Sequence, residues 1–288
     1  MWRADAIPEM GEEEFRLLRD LIHRHCGIWF RDDLRHILER RLGLRLSVHG
    51  LPTFAAYHRF LRFDPGGAAE LDEATDLLTT NETYFFREPE QLRSFQREIL
   101  PALAAERAAE RRLRILSAGC ATGEEAYTLA ILVRLSGLFE GWDVEVVGAD
   151  ISRRCLAIAR AGSYGDHAFR SPEGESLRRW FHLRGGRWVV DDAIRARVRF
   201  TSANLLDDGG LAAVGRVDVV VCRNVLIYFD RAARQRVLAH LHEKLRDGGW
   251  LLLGHSESLI AESAAFELAQ LRDDLVYRKP RAPAGEAA

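Results

Sequence analysis

The sequence predicts an α/β chain: a small all-helical N-terminal segment, then a doubly wound, mostly parallel sheet. Three observations predict it. Apolar residues recur at helical spacing over the first 63 positions, β-rich runs alternate with helical patterns after Leu113, and a glycine-bearing turn joins the first strand to its helix. The 288 residues, 47% hydrophobic and 29% charged, suffice for one large core or two modest ones and exclude disorder throughout.

From Glu12 to Cys26, Phe15, Leu18, Leu21 and Ile22 mark one helical face, and Gly27 stands where the helix would end. Leu34, Ile37, Leu38 and Leu42 mark a second helix, and Phe54, Tyr57, Phe60 and Leu61 a third. Asp64-Pro65-Gly66-Gly67 breaks the pattern before an acidic, Ala-rich stretch restarts a helix into Leu77-Leu78. The helical domain with its linker is set at 1–75 and the second domain at 76–280. Leu113 to Ala118 is the first strand, Gly123 to Ser136 its helix, Val144 to Ala149 the second strand and Ser152 to Ala161 the next helix. The rhythm resumes with strands Val198 to Ser202 and Val217 to Cys222, a helix from Arg231 to Arg246, and a strand from Trp250 to Gly254. Between the blocks, Gly185-Gly186 separates Trp180-Phe181 from Trp188-Val189-Val190, which reads as an antiparallel insertion at 163–197. The Pro/Ala/Gly-rich end, 281–288, reads as a disordered tail.

Charge narrows the function classes. With 41 Lys+Arg against 43 Asp+Glu the net charge is -2, so nothing in the total argues for a general nucleic-acid or membrane-surface binder. No apolar run approaches the roughly 18 to 20 residues of a bilayer span, and the first residues lack the apolar core of a secretory signal. A cytoplasmic location is expected. Cys26, Cys120, Cys155 and Cys222 form no CxxC pair, and His23/His25 and His240/His242 stand two apart on helices, so reduced thiols and no metal site are expected.

The turn Ser117-Ala118-Gly119-Cys120-Ala121-Thr122-Gly123-Glu124-Glu125 lies where a doubly wound sheet binds its ligand. Its spacing is G-x-x-x-G, not the dinucleotide G-x-G-x-x-G. Glu124 and Glu125 open the helix where a pyrophosphate would need free N–H groups and positive potential, so an anion is disfavoured and a cofactor with ammonium and sulfonium groups is favoured. S-adenosylmethionine carries both. Asp150, ending the second strand, suits ribose hydroxyls. Complementing the helix dipole is the plainer role for the two glutamates.

Four runs carry a family resemblance: Leu78-Thr79-Thr80-Asn81-Glu82-Thr83-Tyr84-Phe85-Phe86-Arg87-Glu88, Ser117 through Glu125 with Tyr127, Cys222-Arg223-Asn224-Val225-Leu226-Ile227-Tyr228-Phe229-Asp230, and Gly254-His255-Ser256-Glu257-Ser258. In order and spacing they resemble the CheR family of chemoreceptor glutamate O-methyltransferases, over nearly the whole chain. The resemblance implies an all-α N-terminal domain and a class I, Rossmann-like methyltransferase domain with an inserted antiparallel β-subdomain. It implies methyl transfer from S-adenosyl-L-methionine to receptor glutamates, with S-adenosyl-L-homocysteine as product. It places the donor on Asn81, Thr83, Arg87, Gly119, Glu125, Asp150, Asn204, Leu205, Cys222, Arg223 and Asn224, and names Arg87 and Tyr228 as catalytic. Asn81 and Thr83 also fit ordinary caps, Asn204 fits a turn cap, and His255 fits a structural hydrogen bond.

The expected partner is the helical bundle of a chemoreceptor's cytoplasmic part. Arg31, Arg35, Arg41 and Arg45 share an arc of about 120° on an ideal helix, with Leu34, Leu38 and Leu42. Arg41 and Arg45 match arginines that relatives use for docking, while Leu34 stands where relatives often carry a lysine. A solvated face ion-paired to Asp32, Asp33 and Glu39 is the other reading. The short Leu183-Arg184-Gly185-Gly186-Arg187 hairpin argues against tethering to a C-terminal receptor peptide. Rival functions remain open: methylation of a free carboxylic acid or another small molecule, a donor-sensing regulatory module without turnover, and a methyltransferase of a non-motility chemosensory-like pathway.

Overall fold

The computed structural model describes residues 7–259 and 263–281, so the expected tail falls outside the described residues from 282 on. The chain forms two units. One runs through Thr80 and includes Tyr228–Asp230; the other holds Asn81–Ile227 and continues from Arg231.

The helical unit contains α1 (Glu12–Cys26), α2 (Arg35–His49), α3 (Phe54–Phe63) and α4 (Gly67–Leu78). α1 buries Phe15, Leu18, Ile22 and Cys26, the stripe that its sequence spacing dictates, and ends on left-handed Gly27. Thr53 Oγ1 caps α3 by accepting from Ala56 N at 3.1 Å. Leu38, Leu42 and Leu46 turn α2's apolar side into this core. Arg41 and Arg45 lie on the same side, because the arc that carries them also carries those leucines.

The second unit opens with α5 (Pro89–Ser94), which passes through a π-helical turn into α6 (Leu100–Glu106). Then come β1 (Arg112–Ala118), α7 (Glu124–Ser136), β2 (Asp143–Asp150), α8 (Arg153–Ala161), β3 (Ser163–Tyr164), α9 (Pro172–Ser176), β4 (Phe181–Arg184), β5 (Arg187–Val190) and α10 (Asp192–Arg195). β6 (Val198–Ser202), β7 (Val217–Cys222), α11 (Arg231–Lys244), β8 (Leu245–Leu253), β9 (Glu267–Gln270) and β10 (Leu275–Arg278) complete it. The main sheet has the order β6-β2-β1-β7-β8-β10-β9. β6, β2, β1, β7 and β8 are parallel; β10 runs antiparallel to both neighbours. β7 is buried along its whole length, as a parallel strand covered on both faces must be, which is why Val217 to Cys222 reads as a continuous apolar run broken only by Asp218. The insertion is a separate antiparallel sheet, β3-β5-β4. β8 starts five residues before the expected Trp250. Among the described residues no helix is long and apolar enough to cross a membrane.

Strand order reverses between β1 and β7, so their C-terminal ends open a crevice at the topological switch point.

Candidate active site

At that crevice the chain leaves β1 through Gly119–Gly123 and enters α7. Gly119 has φ +76°, and a Cβ there would sit 2.4 Å from Val225 Cγ2. Gly123 has φ +94°, with a virtual Cβ 2.8 Å from Ala159 Cβ. Only glycine lets the turn close against both the segment after β7 and α8. Asp150 ends β2 only 7% exposed; its Oδ2 accepts from Ala121 N at 2.7 Å and its Oδ1 from Ser152 N at 2.8 Å. Each oxygen is thus oriented. Ala203 N donates to Asp150 O at 2.9 Å and brings Asn204 and Leu205 to the same strand end. Asn204 Oδ1 accepts from Leu206 N at 3.1 Å, and His240 Nδ1 donates to Leu205 O at 2.9 Å.

The two glutamates that open α7 diverge. Glu124 is buried and accepts from Thr122 Oγ1 at 2.6 Å, and burial pushes its carboxyl pKa up. Glu125 turns to the strand ends instead, accepting from Ser117 Oγ at 2.7 Å and Arg223 Nε at 2.8 Å. Arg223, whose side chain is 2% exposed, also approaches Glu88 Oε2 at 3.7 Å. The Arg223 side chain therefore ties Glu125 to Glu88.

Cys222 is fully buried and burial raises its thiol pKa well above the usual range, which removes it as a nucleophile. Asn224 follows in the left-handed region at φ +59°. Its Nδ2 donates to Glu88 Oε1 at 3.2 Å. Its backbone N donates to Glu257 Oε2 at 2.8 Å, and Val225 N and Ile227 N donate to Glu257 Oε1 at 2.9 and 3.3 Å. Glu257 and Glu88 are site residues that motif reading quoted without giving them a role. His255 of the same motif is exposed.

In the first motif Asn81, Thr83 and Arg87 are half-buried, while Phe85 and Phe86 belong to the core. Arg87 Nη1 donates to Glu82 O at 2.7 Å, and Arg170 Nη1 donates to Thr83 O at 3.4 Å. Phe86 and Glu88 both have positive φ, 63° and 55°, a concentration of backbone strain typical of segments shaped for a site.

The remaining expected site residues belong to the helical unit. Tyr228 O accepts from Trp29 N at 2.8 Å, Phe229 bridges Ile28 in antiparallel fashion, and Asp230 Oδ2 lies 3.2 Å from His23 Nε2. Arg41 Nη1 donates to Leu77 O, Leu78 O and Thr79 O at 3.1, 2.8 and 3.2 Å, closing the C-terminus of α4. Arg45 makes a bidentate pair with Glu70, with Nε to Oε1 at 2.7 Å. These two guanidinium groups are thus engaged within the helical unit, by the carbonyl end of α4 and by Glu70. The outward face of α2 carries Arg40, Leu44 and Val48, the last two 60% and 66% exposed.

Comparison with known proteins matches residues 13–79 to the all-alpha domain of CheR methyltransferases and residues 81–274 to their SAM-binding domain. A chemotaxis protein methyltransferase of Vibrio cholerae is 35% identical over 276 residues, covering 93% of each chain. One of Pseudomonas aeruginosa is 34% identical, covering 92% of this chain and 97% of its own.

Proposed function

The chain belongs to the CheR methyltransferase family, and from that premise we infer that it transfers a methyl group from S-adenosyl-L-methionine to glutamate carboxylates of chemoreceptors. The products are glutamyl methyl esters and S-adenosylhomocysteine, and the reaction serves sensory adaptation. The observation that carries this reading is the acidic lining of the switch point: Glu125 and Glu88 beside the Arg223 guanidinium, and Asp150 at the end of β2. That donor set fits the cofactor. The oriented Asp150 oxygens suit ribose hydroxyls, Glu125 suits an ammonium, and a pyrophosphate would be repelled.

When bound, the cofactor supplies a methyl group activated by a sulfonium. The chain's residues supply position. A receptor glutamate with an ordinary pKa near 4.3 is ionised at neutral pH, so no general base is required. What remains is alignment at roughly 3 to 3.5 Å and exclusion of water. Asn81, Thr83, Gly119, Asn204, Leu205 and the Cys222–Asn224 segment line the donor side in this proposal, Arg87 steers the carboxylate or braces the donor, and Tyr228 orients the nucleophile. Too strong an arginine clamp on the carboxylate would slow attack by stabilising the ground state, which suits Arg87's existing bond to Glu82 O.

For docking, we place the receptor's helical bundle against the helical unit. Arg41 and Arg45 hold α2 on α4, and exposed Arg40, Leu44 and Val48 form the outward face. The two-residue Gly185-Gly186 turn, both φ positive, leaves no longer loop for peptide tethering. The chain works in the cytoplasm, beside the receptor region it modifies. The test is transfer of radiolabelled methyl to purified receptor cytoplasmic fragments, followed by release of base-labile methanol. Labile methanol is expected; donor binding without label on any of the organism's receptors would overturn the receptor assignment.

A further inference from the structure

The turn after β8 holds a carboxylate that no ligand-binding or catalytic role has absorbed. Glu257 accepts four backbone N–H groups on two oxygens: Asn224 N and Gly254 N on Oε2, both at 2.8 Å, and Val225 N and Ile227 N on Oε1, at 2.9 and 3.3 Å. Three of those donors belong to the segment that leaves β7, and the fourth ends the adjacent strand. A loop without regular structure would otherwise leave these N–H groups to water or without partners.

The segment needs this anchor because it is bent. Asn224 sits at φ +59°, where an L residue stays only if its surroundings hold it. Val225, next along, fills the space that Gly119 leaves open. Asn224 Nδ2 reaches Glu88 Oε1, and Glu88 Oε2 lies 3.7 Å from Arg223 Nη1, whose Nε holds Glu125. One carboxylate thus fixes the backbone from which a chain of contacts runs to both acidic sides of the crevice. Ile227, the last of its donors, is followed directly by Tyr228.

We propose that Glu257 is a positioning residue for methyl transfer: by clamping the 224–227 backbone it sets the donor-binding segment Cys222–Asn224 and the start of the Tyr228 step. The proposal rests on the methyl-donor reading above. A carboxylate is required because all four partners are donors. A glutamine has the same shape but presents an NH2 to one of the two pairs, so two N–H groups face another donor whichever way the amide turns.

The test is Glu257→Gln in the full chain. Amide hydrogen exchange in the ligand-free protein should show Asn224, Val225, Ile227 and Gly254 protected in the wild type and exchanging about tenfold faster or more in the variant. Calorimetry with S-adenosylhomocysteine should show Kd raised about tenfold, and receptor methylation should show kcat lowered too, with the melting temperature little changed. Glu257→Asp, one carbon short but still all acceptor, should recover part of the donor affinity. A merely structural role predicts a lower melting temperature with exchange at the four amides, Kd and kcat at wild-type values well below it, and that result would overturn the proposal alone. A wild-type chain that binds no S-adenosylhomocysteine would overturn the donor reading and the proposal with it.

Discussion

Glu70 is 4% exposed, yet it accepts from Tyr57 Oη at 2.6 Å, lies 2.7 Å from His49 Nε2 and takes Arg45 in bidentate fashion. Burial pushes its carboxyl up, but the hydrogen bonds from Arg45, Tyr57 and His49 together outweigh that and hold its pKa at about 2. A folded-state pKa below the unfolded value stabilises the fold above the unfolded pKa near 4.3 and loses that contribution as pH falls toward 2. The shift corresponds to about 3 kcal/mol. Glu70→Gln should therefore lower stability to urea by about that amount at pH 7, and the gap to wild type should close as pH falls from about 4.5 toward 2. A gap that stays constant to pH 2.5 would contradict the linkage. The proposed role of Tyr228 is also tested by one atom. Tyr228→Phe removes only the hydroxyl, while the residue's backbone O still accepts from Trp29 N. Turnover should fall by about tenfold or more with S-adenosylhomocysteine affinity nearly unchanged, in keeping with a positioned hydrogen bond used only in the reaction. Undiminished turnover would remove Tyr228 from the mechanism.

Helix α2 shows what a helical period discloses and what it leaves out. Its arc of arginines was visible in the sequence, and so were Leu38 and Leu42 on the same arc; the leucines decide which way the arc faces, because burying them gains more than solvating four arginines. Two arginines then become internal hydrogen-bond donors. Arg45→Ala should cost about 3 kcal/mol or more, since it strips a buried carboxylate of its bidentate partner. Arg40→Ala on the outward face should leave the melting temperature unchanged and raise KM for receptor fragments, with the effect shrinking at high salt. If Arg40→Ala methylates receptor as well as wild type, docking lies elsewhere. The strands were equally readable where burial on both faces makes a continuous apolar run, as in Val217 to Cys222. β9 was not, because a short edge strand such as Glu267–Gln270 is mostly exposed and carries no such run. Of the site, the glycines, Asp150 and Glu125 were legible from turn position and charge. Glu257 was not, since its bond to Val225, 32 positions earlier in the chain, forms only once β7 and β8 lie side by side.

Across the whole molecule the near-neutral charge of -2 conceals a local imbalance, and in the function proposed above that imbalance selects the ligand. At the switch point between β1 and β7, Glu125 and Glu88 lie beside the Arg223 guanidinium and Asp150 ends the neighbouring β2. The positive end of α7, which would greet a pyrophosphate in a dinucleotide fold, is here preceded by left-handed Gly123 and opens on two glutamates, Glu124 buried and Glu125 turned to the strand ends. A ligand that binds only the folded chain stabilises it by mass action, about 2.7 kcal/mol at a hundred times its Kd. For a unit of this size that raises the melting temperature by roughly 5 to 10 °C. S-adenosylhomocysteine at saturating concentration should produce such a shift, and NAD at the same concentration should produce none, because both share an adenosine and differ in the charge they bring to these carboxylates. Equal shifts from both ligands would mean that adenosine alone is recognised and that the acidic lining does not choose the methyl donor.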